Sequence, residues 1–179
     1  SGNFIYDEFI LDRRQFEEGK ENGKAYSGRI SYTPIMTETS LLTTYLSLLT
    51  VGTSTFRHGN GMNNFVQRNK PLGWQYGSDG QELKLGLNYF NRTNLMAQLE
   101  AGQRKTGEES ITSRSYDPYA DYLEGSSPSV NVKESLFILS KLQWWWKPSI
   151  QISGSVEWNN NESLQSLFGI NIYFPSNFT

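Results

Sequence analysis

The sequence predicts an all-β fold: an antiparallel transmembrane β-barrel with about eight strands in this chain, part of a larger barrel. Three observations carry this expectation. Apolar residues alternate with small or polar ones at a two-residue period through most of the chain. The connections between alternating runs are short at one end and long at the other. Aromatic residues collect where the runs meet the short connections. A period of two means strand, because successive side chains point to opposite faces. An apolar row outside and a small-polar row inside is how a membrane-spanning β-wall is written.

Strands are expected at 4–13, 25–33, 40–56, 81–90, 94–106, 134–146, 149–158 and 163–174. The first mixes Asp7, Glu8, Asp12 and Arg13 with Ile5, Phe9 and Leu11, and is expected partly at the rim. The third carries Leu and Thr on both faces over 41–51, and its register stays open. In the fourth, Leu85 and Leu87 are expected to face lipid, with Lys84 and Asn88 facing the lumen. Leu142 is the lipid-facing member expected in the sixth. The seventh is the cleanest: Ile150, Ile152, Val156 and Trp158 form one row, and Gln151, Ser153, Ser155 and Glu157 the other. In the eighth, Leu164, Phe168, Ile170, Ile172 and Phe174 repeat the apolar row.

Connections 34–39, 91–93 and 147–148 are short, 14–24, 57–80 and 107–133 are long, and 159–162 is intermediate. In an antiparallel meander alternate connections share an end, so this asymmetry suits a barrel with periplasmic turns and extracellular loops. Tyr32, Tyr89, Trp144, Trp146 and Phe174 lie on the apolar rows at the short-turn end and form a candidate girdle. Tyr26 and Trp158 start the opposite one. Trp145, between two girdle rings, points inward. Alternating strands also suit a soluble β-sandwich, which stays open as an alternative. Small inward residues (Ser149, Ser153, Ser155, Gly86, Gly102) fit a wide lumen better than a narrow, filled barrel. The edge strands are therefore expected to pair with segments outside this chain.

Composition narrows the function classes. The hydrophobic share is 36%, modest for a soluble core, while aromatics reach 14%; one apolar row per strand plus girdles needs no more. No run of about 18 apolar residues occurs, which excludes a transmembrane helix. The net charge of −2 argues against nucleic acid as a partner. With no cysteine, disulfides and thiol-ligated metals are excluded. No signal peptide opens the chain, so a mature chain or a fragment of a longer one is expected. The 179 residues suit one domain, 1–179.

The densest cluster of functional side chains is the 57–80 connection. It holds the only histidine, His58, with Arg68, Lys70, Trp74, Tyr76 and Asp79. Aromatic faces beside cations and hydrogen-bonding groups suit a sugar or an anionic polymer. The bland alternative is a self-packed loop that caps the barrel. No nucleophile–base pair or metal-ligand spacing is evident, so neither catalysis nor a cofactor is expected. Asp117, Asp121 and Glu124, with Glu108 and Glu109, read as solvated loop charge.

The stretch His58–Gly80, above all Arg68-Asn69-Lys70-Pro71-Leu72-Gly73 and Gly77-Ser78-Asp79-Gly80, resembles the capsule assembly Wzi family of outer-membrane barrels. The opening Phe4-Ile5-Tyr6-Asp7-Glu8-Phe9 resembles a strand upstream of that motif in relatives. Gly169-Ile170-Asn171-Ile172-Tyr173-Phe174 resembles the insertion signal of outer-membrane barrels, with five residues following it. The resemblance implies a bacterial outer-membrane location and a non-enzymatic role in retaining capsular or exopolysaccharide. It covers only the C-terminal part of the family's larger barrels. A porin-like channel and a structural subunit paired with other envelope chains remain open as further readings.

Overall fold

The computed structural model describes residues 1–7, 10–57, 65–68, 70–111 and 127–174. Along these run β1 (Gly2–Asp7), α1 (Arg13–Glu17), β2 (Gly23–Met36), β3 (Leu41–Val51), β4 (Val66–Gln67), β5 (Lys70–Pro71), β6 (Gly80–Phe90), β7 (Leu95–Thr106), β8 (Lys133–Lys147), β9 (Ile150–Asn159) and β10 (Glu162–Ile172). Eight of the strands form one large antiparallel sheet in the order β1-β2-β3-β6-β7-β8-β9-β10. That is chain order once the small hairpin β4–β5 is set aside. The sheet does not close: β1 and β10 end the order and are not paired with each other. The other sheet among the described residues has two strands, too small to be the second layer of a sandwich.

Register separates the side chains into two faces. Across β8, β9 and β10, Trp144 stands beside Ile152 and Ile170, and Leu142 beside Gly154 and Phe168. One residue along, Trp145 stands beside Gln151 and Asn171, and Gln143 beside Ser153 and Gly169. On this polar face Asn171 Nδ2 donates to Gln151 Oε1 at 2.9 Å. On the apolar face the Phe168 ring covers Gly154, where a Cβ would sit 3.3 Å from the ring. The other strands continue the division. Phe4 pairs with Tyr26, and Asn3 with Ser27, whose Oγ accepts from Asn3 Nδ2.

Charge follows the same division. Arg29, Glu82, Lys84, Glu100, Arg104, Lys141 and Glu157 all fall on the polar row. On the apolar row of these strands charge appears only at the strand ends, at Lys147 opposite Ile150 beside a short turn, and at Lys24, Lys105 and Glu134 at the long-connection end. Lys105 Nζ and Glu134 Oε1 pair there at 2.6 Å. The apolar row is also the accessible one. Leu85 is 61% exposed and Phe168 78%, whereas Gln151 on the polar row is 7% exposed.

Backbone packing divides the chain into two compact units. The first comprises Ser1–Gly28, Leu48–Leu83 and Arg104–Glu134. It carries the long connections, and its buried apolar residues are Ala25, Val51 and Ile111. The second comprises Arg29–Ser47, Lys84–Gln103 and Ser135–Thr179. It carries the short turns and buries Tyr45 and Phe137. The boundary passes through β2, β3, β6, β7 and β8, so it cuts strands rather than a linker.

A charged cluster organises the polar face of the second unit. The Tyr45 hydroxyl bonds the Glu100 carboxylate. Gln98 Nε2 donates to Glu100 Oε1 at 2.8 Å, and Lys84 Nζ lies 3.3 Å from Glu100 Oε2. The Arg29 guanidinium lies 3.6 Å over the Tyr45 ring. Gly86 makes room for that ring, because a Cβ there would overlap it. Tyr45 thereby fixes the register of β3 that the sequence leaves open: Tyr45 and Val51 are buried on the polar side, and Leu46 and Leu48 are exposed opposite.

Two boundaries differ from expectation. The first strand ends at Asp7 instead of Arg13, and the charged residues beyond it start α1. Asp12 caps that helix by accepting from Arg14 N at 2.9 Å, and the pairs Arg13–Glu17 and Arg14–Glu18 follow at i,i+4. The third strand ends at Val51 instead of Phe56. Residues 53–56 turn, with Thr55 N bonding Gly52 O and Thr55 Oγ1 bonding Lys24 O. Gly86→Ala should destabilise the fold by about 1–3 kcal/mol through overpacking against Tyr45. Gly28→Ala, which meets only the Leu48 side chain at 3.6 Å, should not. Urea denaturation of the two variants checks the difference.

Candidate functional site

The expected site residues belong to the connection between β3 and β6, and they separate into three groups. Arg68 and Lys70 form the first. Gln67 pairs with Lys70 and Val66 with Pro71, so β4 and β5 make a tight hairpin with Arg68 at its tip, at φ 51°. Its base is fixed by bonds from Phe65 N to Phe56 O and from Leu72 N to Phe65 O, and by the Phe56–Phe65 ring stack at 5.2 Å. Both cations are exposed. They border a shallow cleft of about 460 Å³ together with Gln67, Pro71 and Leu72, and among the described residues no acid lines it.

Trp74 and Tyr76 form the second group. Their rings meet edge to face at 5.3 Å and 60°. They serve packing. The indole lies on Gly80, where a Cβ would overlap it, and the Arg104 guanidinium lies 3.6 Å over Tyr76. Arg104 Nε donates to Glu82 Oε2 at 3.0 Å, with both side chains nearly buried. Tyr76 thus covers an ion pair on the polar face. The Trp74 Nε1–H is buried and meets no hydrogen-bond acceptor.

Asp79 stands alone as the third, away from any ligand that stays outside. It is fully buried, at φ 60°. Its carboxylate accepts from Thr53 Oγ1 at 2.8 Å, Glu109 N at 3.0 Å, Ser129 N at 2.8 Å and Ser129 Oγ at 2.5 Å. Its backbone N–H bonds Gly52 O, and its carbonyl accepts from Gly107 N. Beside it, Ser78 Oγ donates to Thr53 O and accepts from Ile111 N. Asp79 therefore ties three chain segments together, and these bonds hold a left-handed conformation that Asp tolerates better than most residues.

His58 lies outside the described residues, as do Asn69, Asp117, Asp121 and Glu124. Among the described residues no group of three or more His, Asp or Glu is placed to hold a metal ion. Arg57, a further cation of the 57–80 connection, is set apart from the exposed pair: its side chain is 1% exposed and its Nη1 donates to Glu109 O at 2.7 Å. The pairing of Arg104 with Glu82 is not among the sequence expectations, although both residues fall on the polar rows of adjacent strands and that parity was the available signal.

No protein family, curated protein or solved structure matches this chain.

Replacing the Asp79 carboxylate leaves buried donors without an acceptor. Asp79→Asn should therefore lower the opening free energy of the connections around 53, 109 and 129 by about 2–3 kcal/mol. Hydrogen exchange should show faster amide exchange at Glu109 and Ser129, with the amides of β9 and β10 unchanged.

Proposed function

We propose that this chain is a wall segment of a bacterial outer-membrane β-barrel, and that its long-connection end binds acidic polysaccharide without enzymatic activity. The observation that carries the wall reading is the apolar row, free of charge between its ends, on the sheet strands of 10–15 residues, β2, β3 and β6 to β10. About 9–11 residues of tilted strand cross a bilayer's hydrocarbon core. A soluble sheet with such a face would bury it under a second layer. Here Ile30, Leu85, Leu136, Phe168 and Ile170 are among many large side chains more than half exposed. Lipid is the partner that suits this face. The open edges of β1 and β10 suit neighbouring strands of a larger barrel, from the same or another envelope chain.

The polysaccharide reading rests on the β4–β5 hairpin and on the resemblance of 58–80 to the capsule assembly Wzi family. Two exposed cations beside a cleft with no acid among its described lining residues favour an anionic chain, since charge-assisted bonds to carboxylates are the strong ones. Trp74, Tyr76 and Asp79 support the hairpin in this reading instead of touching the glycan. A porin-like channel is the second reading. It is favoured by the charges on the polar face, and conductance across a planar bilayer tests it.

The wall reading is tested by paired arginine variants. Ile152→Arg should cost about 2–4 kcal/mol of stability in lipid, whereas Ser153→Arg should cost much less. Heat-modifiable gel migration and urea titration in vesicles measure both, and equal costs would refute the assignment of faces. For the glycan, the Arg68→Ala/Lys70→Ala double variant should reduce cell-bound acidic polysaccharide by about fivefold, as expected for two exposed ionic contacts. Insertion should be unchanged. Full retention by a correctly inserted double variant would remove the hairpin from the binding surface.

A further inference from the structure

At the short-turn end of the second unit the polar face gives way to an apolar cleft of about 640 Å³. Phe90, Met96, Trp145, Trp146, Lys147 and Pro148 line it. Four consecutive residues, 145–148, thus share one cleft, which a regular strand forbids because neighbouring side chains point to opposite faces. The cause is a β-bulge. Trp145 pairs with Gln151 and Lys147 with Ile150, so Trp146 is the extra residue. A bulge re-aims side chains and is enriched beside functional sites. The chain is tied down there by Trp145 N bonding Asn94 O at 2.8 Å. Lys147 Nζ sits 5.3 Å from the Trp146 ring centroid, at the edge of the apolar surface.

The lining specifies a chemistry. Five of these side chains are apolar or aromatic, and the two remaining lining residues, Thr93 and Asn94, are uncharged. Among the described lining residues Lys147 alone is charged. The volume falls within the range of about 300–1,000 Å³ found for small-molecule sites, which are mostly apolar with a few placed polar groups. We infer that this cleft binds a single-chain amphiphile carrying one carboxylate, a medium- or long-chain fatty acid, with its tail on Phe90, Met96 and Trp145 and its head at Lys147. The inference does not depend on the glycan reading, and it holds for the chain in lipid or in water.

The two cleft tryptophans report on occupancy. Heavy-atom quenching by 11-bromoundecanoate is measured on the full chain, in phosphatidylcholine nanodiscs or in buffer as its own solubility dictates. The expected result is saturable quenching that persists in Trp144→Phe, whose side chain is on the apolar row outside the cleft, and is mostly lost in Trp145→Phe/Trp146→Phe. Lys147→Gln should weaken the carboxylate roughly two- to fivefold, as for one exposed ion pair, and leave 11-bromoundecanol unchanged. Because Lys147 is exposed at a turn, this variant should fold normally. Non-saturating quenching that survives in the double variant would mean partition into lipid or onto the apolar face, and would overturn the site. Equal affinities of Lys147→Gln and the parent for the carboxylate would overturn the assigned head group.

Discussion

The structure depends on one constraint: between the strand ends, charge is confined to one face of the sheet. Parity enforces it. A one-residue slip of β9 would move Glu157 onto the face of Ile152 and Trp158, and Ile152 onto the face of Gln151 and Ser153. Each strand is locked this way, because each carries a row that suits only one surrounding. Few apolar side chains are buried among the described residues, so the sheet does not hold together as a soluble core does. Backbone ladders and the polar face supply the cohesion within it, and the apolar face stays exposed.

The polar face shows how that cohesion is made. Its charges meet at close range across neighbouring strands, as in Arg104 with Glu82 and Lys84 with Glu100. Buried pairs of this kind add little net stability, but removing one partner is costly, so they favour one arrangement over its competitors. Toward the long connections the same logic gives a dense polar cap in which Asp79 accepts from Thr53, Glu109 and Ser129. The β4–β5 hairpin stands on that cap. Its two cations are presented on a firm base, even though the hairpin strands are only two residues each.

The strands were legible because period two is a local signal. All eight sheet strands lie where the alternation puts them, and the short and long connections alternate as read. What was not legible depended on partners distant in sequence. The register of 41–51 could not be read because Leu and Thr occupy both rows; Tyr45 decides it, through Glu100 on β7 and the space left by Gly86 on β6. The end of β1 was misjudged because Asp12, Arg13 and Glu17 read as a polar rim, whereas a cap and two i,i+4 pairs make them a helix. At the candidate site, composition grouped Arg68, Lys70, Trp74, Tyr76 and Asp79 by closeness in sequence. Folding divides them, since a buried carboxylate goes to converging donors and an exposed cation stays at a turn. The Trp144–Trp146 run misled in a similar way: strict alternation allows one inward ring there, and the bulge turns Trp146 toward the same cleft.

The outer margins of β1 and β10, which end the strand order, bear on how such a sheet would enter a membrane. In water, N–H and C=O groups at a sheet margin are solvated at little cost. In hydrocarbon each costs several kcal/mol. In the barrel-wall reading proposed above, the sheet gains by acquiring flanking strands before or during transfer out of water, so that templated extension at two fronts comes first and burial of the finished seam follows. A chain of this kind, produced without its neighbours, would be caught at the aqueous stage with both fronts open, where one copy's margin can seed on another's.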